Sequence, residues 1–284
     1  DGSERMMDVT ARNLLADEAI AGVVINARDI TERLKEQAAM LDSEEQFRVA
    51  SEIQQHLFPR KAPELDGFDI AGASKPAAAT GGDYFDYLTT SDNQLALAIG
   101  DVSGHGIGPA MLMAETRAYL RLLARNRNDL SLILTRANTM MGEDVGKERF
   151  VTMLLAKLDP EERTLVHASA GHSPAFVLGP DGEVKSELRR TGMPLGVMPD
   201  AEYNVSRHMR LAKGDVLVLL TDGLEETTNP EGELFGTGRI LEVVHKSRQV
   251  KAAKIVKSVF EALENFSGNA EQVDDLTMIV AKAK

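Results

Sequence analysis

The chain of 284 residues is 43% hydrophobic and 27% charged, the make-up of an ordinary globular protein with room for one large domain or two modest ones. A formal net charge of -12 removes the basic surface that nucleic-acid phosphates require, and no apolar run is long enough to cross a membrane, so neither partner is expected. With no cysteine there is no disulfide framework, thiol nucleophile or thiolate metal site, and the opening "DGSERMMDVT" lacks the basic start and apolar stretch of a signal peptide; the expectation is a cytoplasmic protein.

In chain order, "ERMMDVTARNLL" and "AIAGVVINARD" read as two strands around a polar turn at residues 16–18. The stretch "ITERLKEQAAMLDSEEQFRVASEIQQHLF" has no Gly or Pro and predicts a long helix, with Thr31 as N-cap, Glu32 in the first turn, and Pro59 and Pro63 beyond its end. Its apolar stripe runs Leu34, Ala38, Leu41, breaks over charged residues 42–45, and resumes at Ala50, Ile53 and Leu57. Spacings of three and four suit pairing with another helix, hence a homodimer through this linker; a helix packed on its own domain is the alternative.

From about Pro59 onward, strands are expected over "FDIAGAS", "YFDYLTT", "QLALAIGDV", "FVTMLLAKLD", "TLVHASAG", "AFVLG", "YNVSRHMRL", "DVLVLLTD" and "LTMIVAKA". Helices are expected over "PAMLMAETRAYLRLLARN", "LSLILTRANTMMGE", "GRILEVVHKS" and "VKAAKIVKSVFEALENF". Strands grouped as hairpins with helices in pairs depart from strict strand–helix alternation and favour an α+β fold.

Several aspartates fall where these strands begin or end. "LALAIGDVSGHG" ends at Asp101, "DVLVLLTDG" at Asp222, "VDDLTMIVA" begins with Asp274 and Asp275, and "GGDYFD" contributes Asp83 and Asp86. One such Asp reads as a turn cap. Four that converge on one sheet edge would repel unless neutralised, and hard oxygen donors suit Mg²⁺ or Mn²⁺. Gly81, Gly82, Gly104, Gly106 and Gly223 allow close backbone approach, and His105 among them reads as a supporting hydrogen-bonder.

The motifs "GGDYFD", "GDVSGHGIGPAM", "FVTMLLAKLD", "HASAGHSPAFVL", "TGMPLGV", "GDVLVLLTDGLEET" and "DDLTMIVAK" occur in the order found in the bacterial metal-dependent serine/threonine phosphatases of the SpoIIE/RsbU type, in the PPM family, and the chain resembles that family from about Ile53 onward. The resemblance implies a sandwich of two antiparallel β-sheets flanked by helices, with two Mn²⁺ or Mg²⁺ ions at one end. By motif, Asp101 would bridge the metals with the Val102 carbonyl beside it. Asp83 would bind the second metal, and Asp222 and Asp274 the first. Asp275 is the alternative within "DDLT", and Asp86 is a further candidate. The segment "GMPLG" at 192–196 is associated in the family with a switching element. The Arg that grips phosphate in the eukaryotic branch has no counterpart ahead of "GGDYFD". The implied substrate is phosphoserine or phosphothreonine on a STAS-type anti-anti-sigma protein.

The segment "DGSERMMDVTARNLL…GVVINARDITER" resembles the closing strands of a PAS sensory domain and its exit into a signalling helix, as if the chain began inside such a domain. The expected organisation is a PAS fragment over 1–30, a linker helix over 31–58 and a phosphatase domain over 59–284. Three rival readings stand beside this one. "GGDYFD" nearly spells a diguanylate cyclase signature, but Tyr84 stands where that family has Glu and no second metal-binding pattern lies upstream. A histidine kinase using His56 would need an ATP-binding domain that the sequence lacks. The remaining rival is a catalytically inactive phosphatase fold used as a regulatory binding module, which would be marked by loss of metal aspartates.

Overall fold

The computed structural model describes residues 4–16, 18–92, 94–104, 106–144 and 149–284, and His105 lies outside them. By its internal contacts the chain divides into two compact units, residues 1–49 and 50–284; the division falls inside the first helix.

In the first unit, β1 (Met7–Leu14) and β2 (Gly22–Asp29) form an antiparallel hairpin in register from Met7↔Asp29 to Leu14↔Gly22. The connection occupies residues 15–21 and is longer than the expected turn, with Ala21 at φ 44. Helix α1 (Thr31–Gln55) follows at once. Thr31 does not act as its N-cap: the hydroxyl accepts the Met6 N–H at 2.7 Å, and the Asp29 carboxylate accepts the Thr31 N–H at 3.0 Å. The hairpin competes for the hydroxyl that capping would use. Leu34 and Leu41 are exposed on α1.

The second unit begins with the last turn of α1. Its elements are β3 (Phe68–Lys75), β4 (Tyr84–Thr89), β5 (Leu95–Val102), α2 (Ile107–Asn126), α3 (Leu130–Asp144), β6 (Val151–Asp159), β7 (Thr164–Ala170), β8 (Ala175–Leu178), β9 (Val184–Leu188), β10 (Met209–Arg210), β11 (Val216–Leu220), α4 (Asp222–Glu226), α5 (Gly236–Ser247), α6 (Ala252–Ser267) and β12 (Leu276–Ala283). Two five-stranded antiparallel sheets result, ordered β10-β7-β6-β5-β4 and β3-β12-β11-β8-β9.

Period-two alternation builds the layers. On β5, Leu95, Leu97 and Ile99 face the space between the sheets and meet Leu217, Leu219 and Ile279 of the other sheet. The alternate residues Ala96 and Ala98 face outward onto Leu120, Ile133 and Leu134 of α2 and α3. On the far side, Val218, Leu220 and Val280 pack beneath Ile240 and Val244 of α5 and Ile255, Val259 and Leu263 of α6. The order is helix, sheet, sheet, helix: an α+β sandwich. Each side chain buried this fully contributes roughly 2 kcal/mol of transfer free energy, and three separate clusters make the sheets a rigid mount for whatever their ends carry.

Three local expectations change. The strand expected over 203–211 shrinks to Met209–Arg210, because Ser206 turns back to bond His167. The edge strand β9 and the short helix α4 carry too little apolar signal to be read beforehand. Asp222 does not end a strand: β11 stops at Leu220 and Asp222 opens α4.

Candidate active site

Four segments meet at one end of the sandwich. The loop before β4 brings Asp83, the end of β5 brings Asp101 and Val102, the start of α4 brings Asp222, and the approach to β12 brings Asp274 and Asp275. Asp83 is buried and its Oδ2 accepts the Thr221 hydroxyl at 2.8 Å, which links the loop of one sheet to the end of β11 in the other. Gly82 lies against the β5 end: a Cβ on it would be 2.7 Å from the Val102 carbonyl oxygen and 3.1 Å from Asp101 Oδ1. Only glycine admits that approach. Beyond Asp101 the chain turns through Gly104 and Gly106, both at φ 91, into α2.

The electrostatics record how close these groups stand. Burial, then the neighbouring Asp222, Asp274 and Asp275, pushes Asp101 up to about 7. Burial and Asp101 raise Asp83 well above the carboxylate range. Burial raises Asp274, with Asp222, Asp275 and Glu226 adding to it. Among the described residues no three acidic or histidine side chains close on one point tightly enough to cage an ion. Mutual repulsion of the carboxylates opposes closer approach. The donor chemistry, hard oxygens with a backbone carbonyl and neither thiolate nor imidazole, fits Mg²⁺ or Mn²⁺.

The two members of the "DDLT" pair behave differently. Asp275 is buried and both its oxygens are engaged, accepting Ala77 N–H at 2.8 Å and Asp83 N–H at 3.3 Å. Asp274 is exposed, and among the described residues only its Oδ1 accepts a bond, from Asp275 N–H at 2.8 Å. Asp275 braces the loop that carries Asp83, and Asp274 faces the cavity.

Asp86 is not part of the cluster. It is fully buried beneath α2, where Arg121 clamps it through Nε at 2.5 Å and Nη2 at 2.7 Å. The Tyr84 hydroxyl at 3.0 Å and the Tyr87 N–H at 2.8 Å complete its shell, and Arg117 approaches to 3.9 Å. Every lone pair that a cation could use is occupied.

His172, which the sequence reading passed over, ties the two sheets together behind the site. Its Nε2 donates to the Leu220 carbonyl at 3.1 Å, so Nδ1 is the acceptor of a hydrogen bond from the Thr152 hydroxyl at 2.9 Å. Thr152 is the register partner of Asp101, and Leu220 stands two residues before Asp222. Burial holds the imidazole neutral, down at about 4. The unfolded chain protonates it near 6.5, so this contribution to stability is whole above that pH and is lost as pH falls toward 4, roughly 3 kcal/mol in all. The check is denaturant unfolding of wild type and His172→Leu from pH 7 to pH 4: the gap between the two should narrow by about that amount, and a constant gap would contradict it.

The segment 192–196 runs alongside. Leu195 bridges Val151, itself paired with Val102, and the Gly196 N–H donates to Asn138 of α3 at 2.9 Å. A cavity of about 600 Å³ opens from Asp101, Val102, Gly223 and Asp274 toward the end of α6, with Glu226 and Glu271 on its wall.

The profile of the family described as Stage II sporulation protein E matches residues 91–284. The chain is 28% identical to the phosphoserine phosphatase RsbU of Bacillus subtilis, over 84% of this chain and 70% of that one. It is 27% identical to protein IcfG of Synechocystis sp. over 80% of its length, yet spans only 40% of that relative. Among solved structures, the SiaA-PP2C domain of Pseudomonas aeruginosa superposes with a TM-score of 0.75 at 24% identity, covering 87% of this chain and 99% of that domain.

Proposed function

The chain belongs to the Stage II sporulation protein E family, and from that premise we propose that it is a metal-dependent protein serine/threonine phosphatase acting on a phosphorylated regulatory protein. The observation that carries this reading is the meeting of Asp83, Asp101, Asp222 and Asp274 with the Val102 carbonyl at one sandwich end, each raised carboxylate owing part of its shift to its neighbours. These are the residues that would hold two divalent ions, Mn²⁺ or Mg²⁺, with Asp275 as brace. Bound there, such ions supply an activated water for in-line attack on phosphorus and neutralise charge on the phosphoryl oxygens. The chain's own part is positional. The Thr221 hydroxyl and the Asp275 carboxylate fix the Asp83 segment, and Gly82 lets the Val102 carbonyl stand bare beside it. The cavity of about 600 Å³ has room for a phosphorylated side chain and its flanking residues.

The motif resemblance extends this to a finer reading: the substrate is phosphoserine or phosphothreonine on a STAS-type anti-anti-sigma protein, and the segment ahead of the phosphatase unit is sensory. Helix α1 connects the two units without Gly or Pro, and Leu34, Met40, Leu41 and Ile53 are exposed on it, which suits pairing of two chains. Leu57 does not belong to such a seam, since it packs against the core beneath α2 and α3. The rival of an inactive binding module loses support because none of the expected carboxylates is missing.

The test is phosphate release from a phosphoserine-bearing STAS protein after exhaustive chelation and then with each ion restored. Activity should vanish on chelation and return more strongly with Mn²⁺ than with Mg²⁺, which gives up its water reluctantly. Full activity in the chelated protein would overturn the reading.

A further inference from the structure

Gln54 lies in the last turn of α1, and its side chain is buried, 6% exposed, in the phosphatase unit. Its amide closes a two-way link with one residue: Nε2 donates to the Gly81 carbonyl at 2.6 Å, and Oε1 accepts the Gly81 N–H at 3.0 Å. Gly81 also lies against Asp275, whose carboxylate a Cβ on Gly81 would strike. Asp275 in turn holds Ala77 and Asp83 by their N–H groups. The loop is gripped between a helix-borne amide and a carboxylate, and it leads directly into Asp83. The next residue, Gly82, accepts the Val102 N–H at 3.3 Å, so a shift of Gly81 reaches both Asp83 and the Asp101–Val102 end of β5. The helix end itself is anchored: the Leu57 carbonyl accepts Arg117 Nε at 2.9 Å, and Phe58 stacks on Phe85 at 5.5 Å.

We propose that Gln54 is a positioning residue for the carboxylate site: its amide places Gly81, and through it Asp83, and so preorganises the site for a divalent cation. The inference rests on the reading of Asp83 as a metal-binding residue. A buried primary amide whose two ends bond the N–H and the carbonyl of one residue holds that residue in distance and in orientation. An apolar side chain of the same length would hold neither and would leave the Gly81 N–H and carbonyl without partners.

Gln54→Met keeps the length and loses both bonds. In the metal-free protein, amide hydrogen exchange over 80–83 should quicken about tenfold. By calorimetry the dissociation constant for Mn²⁺ should rise about tenfold, the usual scale for groups that orient a metal-binding side chain. Turnover of a phosphoserine peptide at saturating Mn²⁺ should stay within about twofold of wild type, so the defect appears in metal half-saturation and not in kcat. Gln55→Ala, one residue away and exposed, should change neither exchange nor Mn²⁺ affinity. If Gln54→Met does not fold, Gln54→Glu, which keeps the acceptor and loses the donor, should shift both quantities in the same direction. Wild-type Mn²⁺ affinity in the folded variant overturns the proposal, even where its melting temperature falls, because Gln54 is then only a packing element. If Asp83→Ala binds Mn²⁺ as wild type does, it is the assignment of Asp83 that fails.

Discussion

Asp101→Ala should lower phosphate release from a phosphoserine substrate at least about a thousandfold, some 4 kcal/mol of transition-state stabilisation. The magnitude follows from its place: Asp101 feels the charges of Asp222, Asp274 and Asp275, and it presses in turn on Asp83, so every other carboxylate of the site is arranged around it. The same substitution should not lower the melting temperature of the chelated protein at pH 8. Burial and its neighbours hold Asp101 up at about 7, so above that pH an ionised carboxylate stands among like charges, and removing it relieves repulsion. Asp222→Ala should behave alike in turnover. The measurement is steady-state kinetics with saturating Mn²⁺ beside thermal unfolding in chelator. Near-wild-type turnover in either variant places the chemistry elsewhere. A collapse of the metal-free fold would mean that Asp101 serves the structure and not the site.

The convergence of these aspartates was legible because they stand at or beside element boundaries. Asp83, Asp101, Asp222 and Asp274 are short acidic side chains next to glycine or a second aspartate, and the sandwich brings the ends that bear them together. The division of labour between Asp274 and Asp275 was not legible, because it depends on which carboxylate meets the N–H groups of Ala77 and Asp83, almost two hundred residues away in sequence. His172 and Gln54 escaped for a related reason. Each bridges segments that are distant in the chain, and a lone His or a Gln on a helix reads locally as a solvated polar residue. Asp86 is a different case. An odd separation from Asp83 places the two on opposite faces of an extended segment, and Arg117 and Arg121 lie one helical turn apart on α2. That parity and that spacing were present in the sequence, and together they point to a structural ion pair.

The consequence for Asp86 is large and of the opposite kind to that for Asp101. Asp86→Ala should destabilise the protein by about 3–5 kcal/mol, the usual result of removing one partner of a buried charged network. The loss has identifiable parts. Arg121 keeps a charge and loses the carboxylate that clamps it on two nitrogens, while the buried Tyr84 hydroxyl and the part-buried Tyr87 N–H lose their acceptor. Each such orphaned group costs about 1–3 kcal/mol, and the side chain of Arg121, 38% exposed, recovers part of its share from solvent. For a unit of this size the melting temperature should fall by roughly 10 °C. Mn²⁺ affinity, measured by calorimetry well below the transition, should remain that of wild type, because none of the groups around Asp86 belongs to the carboxylate cluster. A variant with wild-type stability and lost Mn²⁺ binding would reverse the assignment and return Asp86 to the site. Loss of stability with Mn²⁺ binding intact would establish it as the pin that fastens α2 to β4, and so fixes the start of α2 where the chain leaves Asp101.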